Sequence, residues 1–417
     1  MLMHRLTACL WGLFVSYAVF GQITLEECQR RAREHYPLIR QYELIDRTLH
    51  LNLSNLGKAY LPQPSLTLQA SYQSDVTWIP VSMPGVSVAK PYKDQYKAQA
   101  QIDQLIWDGG NIRNRKAMAR SASAADSRQL DSDLYRITER VNDLYFGILL
   151  LEEQISQNGV LRADLKYNRE KVENYIRFGT ATPTDLDEIT VSLLNAEQQL
   201  ASLKSSETAY REMLGLLTGT DISGRLLKPA LILPTGTGSN RPEMKLIEAR
   251  ETQLRRQRDL LRSGLRPTIG LFVQGGYGRP GLNMLETRFE GYYMAGIRIA
   301  WNFGSFYTYS DSRKLLDTDG LNLDINRSVF LLNTSLDLTA RNRELDKYRE
   351  LLKSDNEIVR LRSGIVKSSE IRLANGTITV TDLLLDIDRE HDARCQRSYH
   401  EIQALYSLYK LKYLTNE

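Results

Sequence analysis

An internal repeat of about 195 residues limits the folds that this chain can adopt. Residues 179–186 read Gly-Thr-Ala-Thr-Pro-Thr-Asp-Leu and residues 376–383 read Gly-Thr-Ile-Thr-Val-Thr-Asp-Leu, so six of the eight positions are identical. Residues 106–110 (Ile-Trp-Asp-Gly-Gly) and 300–304 (Ala-Trp-Asn-Phe-Gly) match at nearly the same offset. Two unrelated halves would not repeat their turns at the same spacing, so we expect one structural unit that occurs twice.

The twelve prolines leave three long tracts free of proline, namely residues 92–182, 184–228 and 281–417. Because an interior proline costs a helix about 3 kcal/mol, these tracts permit very long helices. Within residues 111–177, apolar side chains recur at alternating steps of three and four, which predicts a coiled-coil helix on the order of 100 Å long. Helical patterns also cover about 23–60, 244–264 and 306–373, and each repeated turn is followed by a returning helix that completes a hairpin.

Four segments instead alternate apolar and polar residues, which is typical of strands with one apolar and one polar face. They span about residues 64–73, 95–107, 267–277 and 291–302, so each repeat contributes two strands. Aromatic residues lie near the strand ends, which is explained either by a girdle at the lipid headgroups or by the general preference of strands for aromatics. These are Tyr72, Trp78, Tyr92, Tyr96, Trp107, Tyr277, Tyr292, Tyr293, Trp301, Phe306 and Tyr307.

The apolar strand faces have no obvious globular layer to cover them, because the rest of the chain reads as long helices. A strand of about 9–11 residues with this alternation spans an outer membrane. Four strands cannot close a barrel, and an open edge in lipid leaves backbone amides unpaired. Closed barrels start at about eight strands, so the copies must combine. Two copies would give eight strands and three would give twelve, and the wider trimer suits a conduit better.

The first 22 residues are expected to be an export signal. His4 and Arg5 precede an apolar run at residues 10–20, which ends before Gly21, as in secretory signal peptides. The run is too short for a spanning helix. Residues 6–9 (Leu-Thr-Ala-Cys) superficially resemble a lipoprotein acylation site, but they precede the apolar run rather than end it, which disfavours lipidation.

Composition and motifs exclude several functions. The 54 Lys and Arg residues nearly balance the 50 Asp and Glu residues, which disfavours nucleic-acid binding through bulk charge. Three cysteines cannot form a disulfide framework or a multi-cysteine metal site. The five histidines show no metal-ligand spacing, and neither a phosphate-binding loop nor a nucleophile elbow is present. We therefore expect no catalytic residues, no cofactor and no metal.

With these motifs the chain resembles TolC-type outer-membrane efflux proteins over nearly all of the mature sequence. The resemblance rests on residues 23–28 (Ile-Thr-Leu-Glu-Glu-Cys), Tyr36-Pro37, the two tryptophan motifs and the two glycine turns. It implies an α+β membrane protein whose duplicated unit of long coiled-coil helices and two strands trimerises. The homotrimer would form a 12-stranded transmembrane β-barrel in the outer membrane, continuous with an α-helical barrel in the periplasm.

The expected organisation follows the repeat. Residues 1–22 form the signal peptide, and residues 23–218 form the first repeat, with one helix, two strands and a long hairpin that turns at 179–183. Residues 219–241 form a linker rich in Gly, Thr and Pro. Residues 242–417 form the second repeat, which has the same elements and a hairpin that turns at 375–381.

The resemblance implies the exit duct of a tripartite efflux or type I secretion system, joined through a periplasmic adaptor to an inner-membrane transporter. In the family the hairpin turns contact the adaptor. Their chemistry fits this independently, since glycine ends a helix in a left-handed conformation and short polar residues leave the backbone accessible. The alternative is that these residues only end the helices at ordinary turns. The candidate adaptor-contacting residues are Gly179, Thr180, Ala181, Gly376, Thr377 and Ile378.

The family also carries acidic residues at a constriction just after the second turn. Asp382 matches the first of these, while the second falls at Leu385, with Asp386 and Asp388 nearby. We therefore take Asp382 and Asp386 as gate candidates, because three copies of an aspartate around an axis repel one another and attract cations. The alternative for Asp382 is a helix N-terminal charge, the role expected of Asp185 in the first repeat.

A periplasmic coiled-coil adaptor that bridges two membranes is the alternative function. Adaptors have one helical hairpin flanked by a lipoyl-like and a barrel domain, and they lack two copies of a strand pair with apolar outer faces. The duplication therefore disfavours the adaptor. An enzyme is the third and least favoured function, because the sequence shows no catalytic site. Drugs, metals, peptides and polysaccharide precursors all stay open as transported substrates.

Overall fold

The computed structural model describes residues 23–77, 90–232 and 240–416. The expected signal peptide, Trp78 and residues 233–239 of the expected linker lie outside the described residues. Within them, most residues are helical and one small sheet is present. The helices are α1 (Leu25–His35), α2 (Gln41–Lys58), α3 (Asn111–Arg177), α4 (Pro183–Thr218), α5 (Pro242–Ser263), α6 (Ser305–Ala374) and α7 (Val380–Thr415), and the strands are β1 (Gln63–Tyr72), β2 (Asp94–Trp107), β3 (Thr268–Arg279) and β4 (Glu290–Ala300).

The helical pattern at residues 23–60 corresponds to two helices rather than one. Helix α1 ends at His35, and a short 3-10 helix over Pro37–Arg40 precedes α2. Tyr36 is extended, with φ −63° and ψ 129°, because the proline ring at position 37 disfavours the α conformation in the residue before it. The prediction of a single helix was therefore wrong at this proline.

The sheet is antiparallel, with the strand order β1-β2-β3-β4. Leu68 pairs with Ala98, which pairs with Tyr277 on the other side. Leu66 pairs with Ala100 in the next row on the same face. Most large apolar side chains of this face are strongly exposed, and Leu68 is 72% exposed. The apolar face that the alternation predicts is therefore uncovered in a single chain.

The opposite face of the sheet carries a connected polar network. The Gln99 amide donates to Gln274 Oε1 at 3.1 Å, and the Gln101 amide donates to Asp103 Oδ2 at 2.7 Å. Arg298 forms an ion pair with Asp103 Oδ1 at 3.3 Å. The two faces thus differ in polarity as expected for strands between an apolar and a polar environment.

The chain divides into two compact units, and each draws on both halves of the sequence. One unit is helical and comprises Met1–Ile39, Leu134–Ser239 and Thr334–Glu417, in so far as these are described. The other comprises Arg40–Asp133 and Asn240–Asn333, and it contains the sheet. The sequence repeat and the compact units are therefore different divisions of the same chain.

The first tryptophan motif forms the turn between β2 and α3. Asp108 is buried and accepts hydrogen bonds from the backbone N–H groups of Gly110, at 2.9 Å, and Ile112. Gly109 has a φ of +68°, and a Cβ there would lie 2.6 Å from the Cβ of Arg266. The motif thus needs its aspartate for the helix start and this glycine for the turn.

Gly109→Ala is expected to destabilise the fold, because the left-handed conformation costs an L-residue about 1–2 kcal/mol before the clash is added. Thermal loss of helical circular dichroism in detergent measures the effect. Gly159→Ala is the matched control, since Gly159 lies inside α3 with no atom within 4 Å of an added Cβ. We expect the control to raise the melting temperature slightly; equal melting temperatures for Gly109→Ala and wild type would contradict the prediction.

Candidate functional site

The first hairpin turn joins α3 to α4 around Gly179. This glycine has a φ of +76°, and its N–H donates to the carbonyl of Ile176 at 3.0 Å. The N–H of Thr180 donates to the carbonyl of Tyr175 at 2.8 Å, which completes a Schellman motif. The turn thus satisfies the last carbonyls of α3 without any outside partner.

The second turn, between α6 and α7, has the same construction. Gly376 has a φ of +67° and donates to the carbonyl of Leu373 at 2.9 Å. Thr377 donates both its N–H and its hydroxyl to the carbonyl of Arg372, each at 2.9 Å. Around both glycines no atom lies within 4 Å of where a Cβ would stand, so the two turns are open on their outer side.

Each turn is followed by a capping box. Thr182 Oγ1 accepts from the Asp185 N–H at 3.3 Å, and Asp185 Oδ2 accepts in return from the Thr182 N–H at 2.7 Å. Thr379 and Asp382 make the same pair of bonds, at 3.2 and 3.0 Å. The carboxylate of Asp382 therefore has the capping role that its counterpart Asp185 has, and it is exposed to solvent.

The cap makes the start of α7 sensitive to pH. The backbone N–H and the hydroxyl of Thr379 donate to the Asp382 carboxylate and lower the pKa of this group. The folded-state pKa thus lies below the unfolded value of about 3.9, so the cap stabilises the fold above that pH. This contribution is lost as the pH falls through the folded-state pKa.

Asp382→Asn is accordingly expected to lower stability at pH 7 and to have a smaller effect below about pH 3. Urea denaturation at both pH values, followed by circular dichroism, measures the difference. Asp319→Asn serves as a control because Asp319 is an exposed carboxylate on α6 far from any cap. An equal loss of stability at both pH values would contradict the capping role of the Asp382 carboxylate.

The second gate candidate has a different environment. Asp386 is half-buried, and its Oδ2 accepts a hydrogen bond of 2.6 Å from the hydroxyl of Ser369 on α6. Its Oδ1 lies 3.7 Å from the guanidinium of Arg389. Leu385, at the position where the family usually has its second carboxylate, is exposed. On α7, Asp382 is thus open to solvent, whereas Asp386 is held against α6.

An apolar cluster packs the two hairpins together behind the turns. Ala181 and Ile378 are half-buried against it, whereas Gly179, Thr180, Gly376 and Thr377 are exposed. Four of the six predicted contact residues are therefore exposed, and the other two are half-buried and also pack on the cluster. The buried members are Leu161, Leu165, Val172, Ile189, Leu193, Ala196, Val366, Val380, Leu383, Leu384 and Ile387.

Phe178 and Thr381 lie close to the hairpin turns and were not predicted as functional. Phe178 directly precedes the first turn glycine and is 81% exposed, whereas Asn375 has that position in the second turn. The Thr381 hydroxyl donates to Glu188 Oε2 at 2.7 Å and links the two hairpins. The sequence signal for Phe178 was the mismatch with Asn375 directly before the identical glycines of the two turns.

The described residues lack two features that would indicate other functions. In residues 23–77, 90–232 and 240–416 no helix is long and apolar enough to cross a membrane. In the same part of the chain, no group of three or more His, Cys, Asp or Glu side chains is arranged to hold a metal ion.

Comparison with known proteins relates this geometry to a family. Residues 33–220 match the model of the outer membrane efflux protein family. The fold is similar to that of VceC from Vibrio cholerae, with a TM-score of 0.68 and 14% identity over 94% of this chain and 95% of that one. MtrE from Neisseria gonorrhoeae, solved in its open state, gives a TM-score of 0.67 and 16% identity over 94% of this chain and 88% of that one.

CmeC from Campylobacter jejuni has a similar fold, with a TM-score of 0.66 and 14% identity over 94% of this chain and 85% of that one. Each of these solved structures is described as an outer membrane protein or an outer membrane channel. No curated protein matches the sequence. The family match over residues 33–220, together with the shared fold, confirms the resemblance of this chain to TolC-type outer-membrane efflux proteins.

Proposed function

We propose that the chain is the outer-membrane exit duct of a tripartite efflux or type I secretion system and acts as a passive conduit. The observation that carries the proposal is the four-stranded sheet, with one uncovered apolar face and two open edges, β1 and β4. In lipid both edges need partner strands, because unpaired amides there cost several kcal/mol each. Copies of the same chain supply such partners, and three copies give a 12-stranded barrel.

The helices of the sheet-containing unit also favour association between copies. Helix α6 has a stripe of exposed apolar side chains at Leu321, Ile325, Val329 and Leu332, spaced by three or four residues. Helices α2 and α3 border an apolar groove of about 370 Å³ lined by Leu44, among others. A stripe and a groove of this kind are what neighbouring copies in a homotrimer would bury against each other.

The hairpin turns are the proposed contact for the periplasmic adaptor, which would link the duct to an inner-membrane transporter. Gly179, Thr180, Gly376 and Thr377 present open backbone and short side chains to solvent. Ala181 and Ile378 are half-buried, so they support this surface from behind and offer the partner a smaller contact. The exposed ring of Phe178 adds an apolar contact at the first turn.

Cysteine crosslinking tests the adaptor contact, through Thr180→Cys and Thr377→Cys. Burial raises the pKa of the native Cys28 and Cys395 thiols to about 11, so they stay protonated and react slowly. An adaptor captured at both positions, but not from a cysteine at exposed Lys204 on α4, would support the contact. Equal capture at all three positions would argue against it.

For the gate, Asp382 is the first candidate and Asp386 the second. In a trimer, three exposed Asp382 carboxylates around a narrow axis would attract cations. Asp386 would influence the opening through its bond to Ser369 instead. The expected effect of Asp382→Asn is a loss of cation selectivity in planar bilayers, while Asp386→Asn changes the open probability.

Conductance in planar bilayers tests the duct itself. The detergent-extracted trimer should raise conductance in discrete steps, and silence despite correct assembly would contradict the proposal. Membrane fractionation with an alkaline wash separates the duct from a periplasmic adaptor, because a protein inserted in the membrane resists release. No observation on the chain favours the adaptor, and the channels of similar fold support transport rather than catalysis.

A further inference from the structure

Basic residues are concentrated where α3 and α5 meet the sheet. Residues 111–120 and 255–266 together contain nine Arg or Lys residues and one acidic residue, Asp259, although the whole chain is nearly neutral. The basic residues, here called the junction patch, are Arg113, Arg115, Lys116, Arg120, Arg255, Arg256, Arg258, Arg262 and Arg266.

The two segments of the junction patch lie side by side. The Asn114 side chain on α3 donates to the carbonyl of Asp259 on α5 at 3.1 Å. The Arg266 guanidinium donates to the carbonyl of Gly109, just before α3, at 3.1 Å. The two segments of the junction patch are therefore adjacent in the fold.

The repeat indicates that the fold does not require these charges. Counted from the tryptophan motifs, Arg113 corresponds to Tyr307 in the second repeat. Counted from Pro64 in β1 and Pro267 before β3, Arg255 corresponds to Asn52 and Arg262 to Ala59. Of the nine residues, only Arg120 has a basic counterpart, Lys314, and that lysine pairs with Asp311 at 3.0 Å.

Several members of the patch have their charge available. Arg113, Arg120 and Arg262 are exposed and make no ion pair or side-chain hydrogen bond with any described residue. Within the patch the ion pairs are Arg256 with Asp259 at 3.5 Å and Arg258 with Asp317 at 2.7 Å. Most of the positive charge therefore has no internal partner.

The position of the patch points to its ligand. Arg262 lies six residues before β3 and Arg113 six residues after β2, so both are close to the strand ends along the chain. The headgroup layer is about 5–8 Å thick on each side of a bilayer. Trp107 is the last residue of β2 and pairs with Ile269 on the apolar face. Tryptophan is enriched at the boundary between membrane and water, so this end of the sheet fits the headgroup layer.

We propose that the junction patch binds the phosphate groups of anionic phospholipids in the periplasmic leaflet of the outer membrane. The inference rests on the proposed function, because it needs the sheet to span that membrane. Arginine suits the role, since its planar guanidinium binds phosphate oxygens through two parallel hydrogen bonds. The bound headgroups fix the depth of the barrel at its periplasmic edge.

The test compares lipid preference in three proteins. The patch variant carries Arg113→Gln and Arg262→Gln, and the control carries Arg33→Gln and Lys204→Gln, which removes two exposed charges elsewhere. Native mass spectrometry of the trimer measures the retention of phosphatidylglycerol relative to phosphatidylcholine. We expect the patch variant to lose this preference by about tenfold or more, as charge contributions near a membrane surface predict, and the control to retain it.

Three results would overturn the proposal. These are equal phosphatidylglycerol retention in all three proteins, displacement of the lipid by inorganic phosphate at matched concentration, and a change in pore ion selectivity without a change in lipid retention. The last result would mean that the arginines face the pore and attract soluble anions. Conductance is recorded for every protein, so a wild type without channels refutes the proposed function, whereas intact channels with unchanged lipid retention refute only the lipid site.

Discussion

Replacing Leu68 with arginine is expected to prevent stable insertion of the protein into the outer membrane. Leu68 lies in the middle of β1 on the exposed apolar face. An arginine on the lipid face of a transmembrane barrel costs about 2–4 kcal/mol near the midplane, and in a trimer the cost arises three times. The measurement is the fraction of protein that remains in alkaline-washed outer membranes.

Thr67→Arg is the matched control, because Thr67 is the preceding residue and its side chain lies on the other face of the sheet. It pairs with Gln99, a member of the polar network. We expect insertion close to that of the wild type for this variant. Equal loss for Leu68→Arg and Thr67→Arg would mean that the two faces do not meet different environments.

Leu383→Ala is expected to weaken the packing of the hairpins by about 2–5 kcal/mol, the usual range for a buried leucine. Leu383 is 0% exposed and lies in the apolar cluster that joins the two hairpins. The loss should appear in urea denaturation and in faster proteolysis at the turns.

Leu385→Ala is the control for this prediction. Leu385 lies two residues further along α7 and is 48% exposed, so its truncation should cost less than about 1 kcal/mol. A similar loss of stability in both variants would contradict the packing described for α7.

The regular elements could be predicted because their signals are local. Steps of three and four residues indicated α3, and the glycines on either side indicated its approximate bounds, while alternation located β1 to β4 within two residues at each end. The break at Tyr36 was missed because the apolar pattern continues across Pro37, and only the steric effect of the proline ends α1.

The site was predictable only in part, for a related reason. The glycine turns and the Thr-x-x-Asp caps are short motifs, so their local geometry follows from sequence. The burial of Ala181 and Ile378 depends on contacts between hairpins almost 200 residues apart, which no local pattern encodes. The bond between Asp386 and Ser369 is likewise a contact between two helices.

The mass of the mature protein, extracted in detergent and measured by native mass spectrometry, tests the central claim most directly. The open edges of β1 and β4 require neighbouring copies, and the account predicts a complex of three chains that dissolves only with detergent. A single chain that stays in solution without any amphiphile would contradict it.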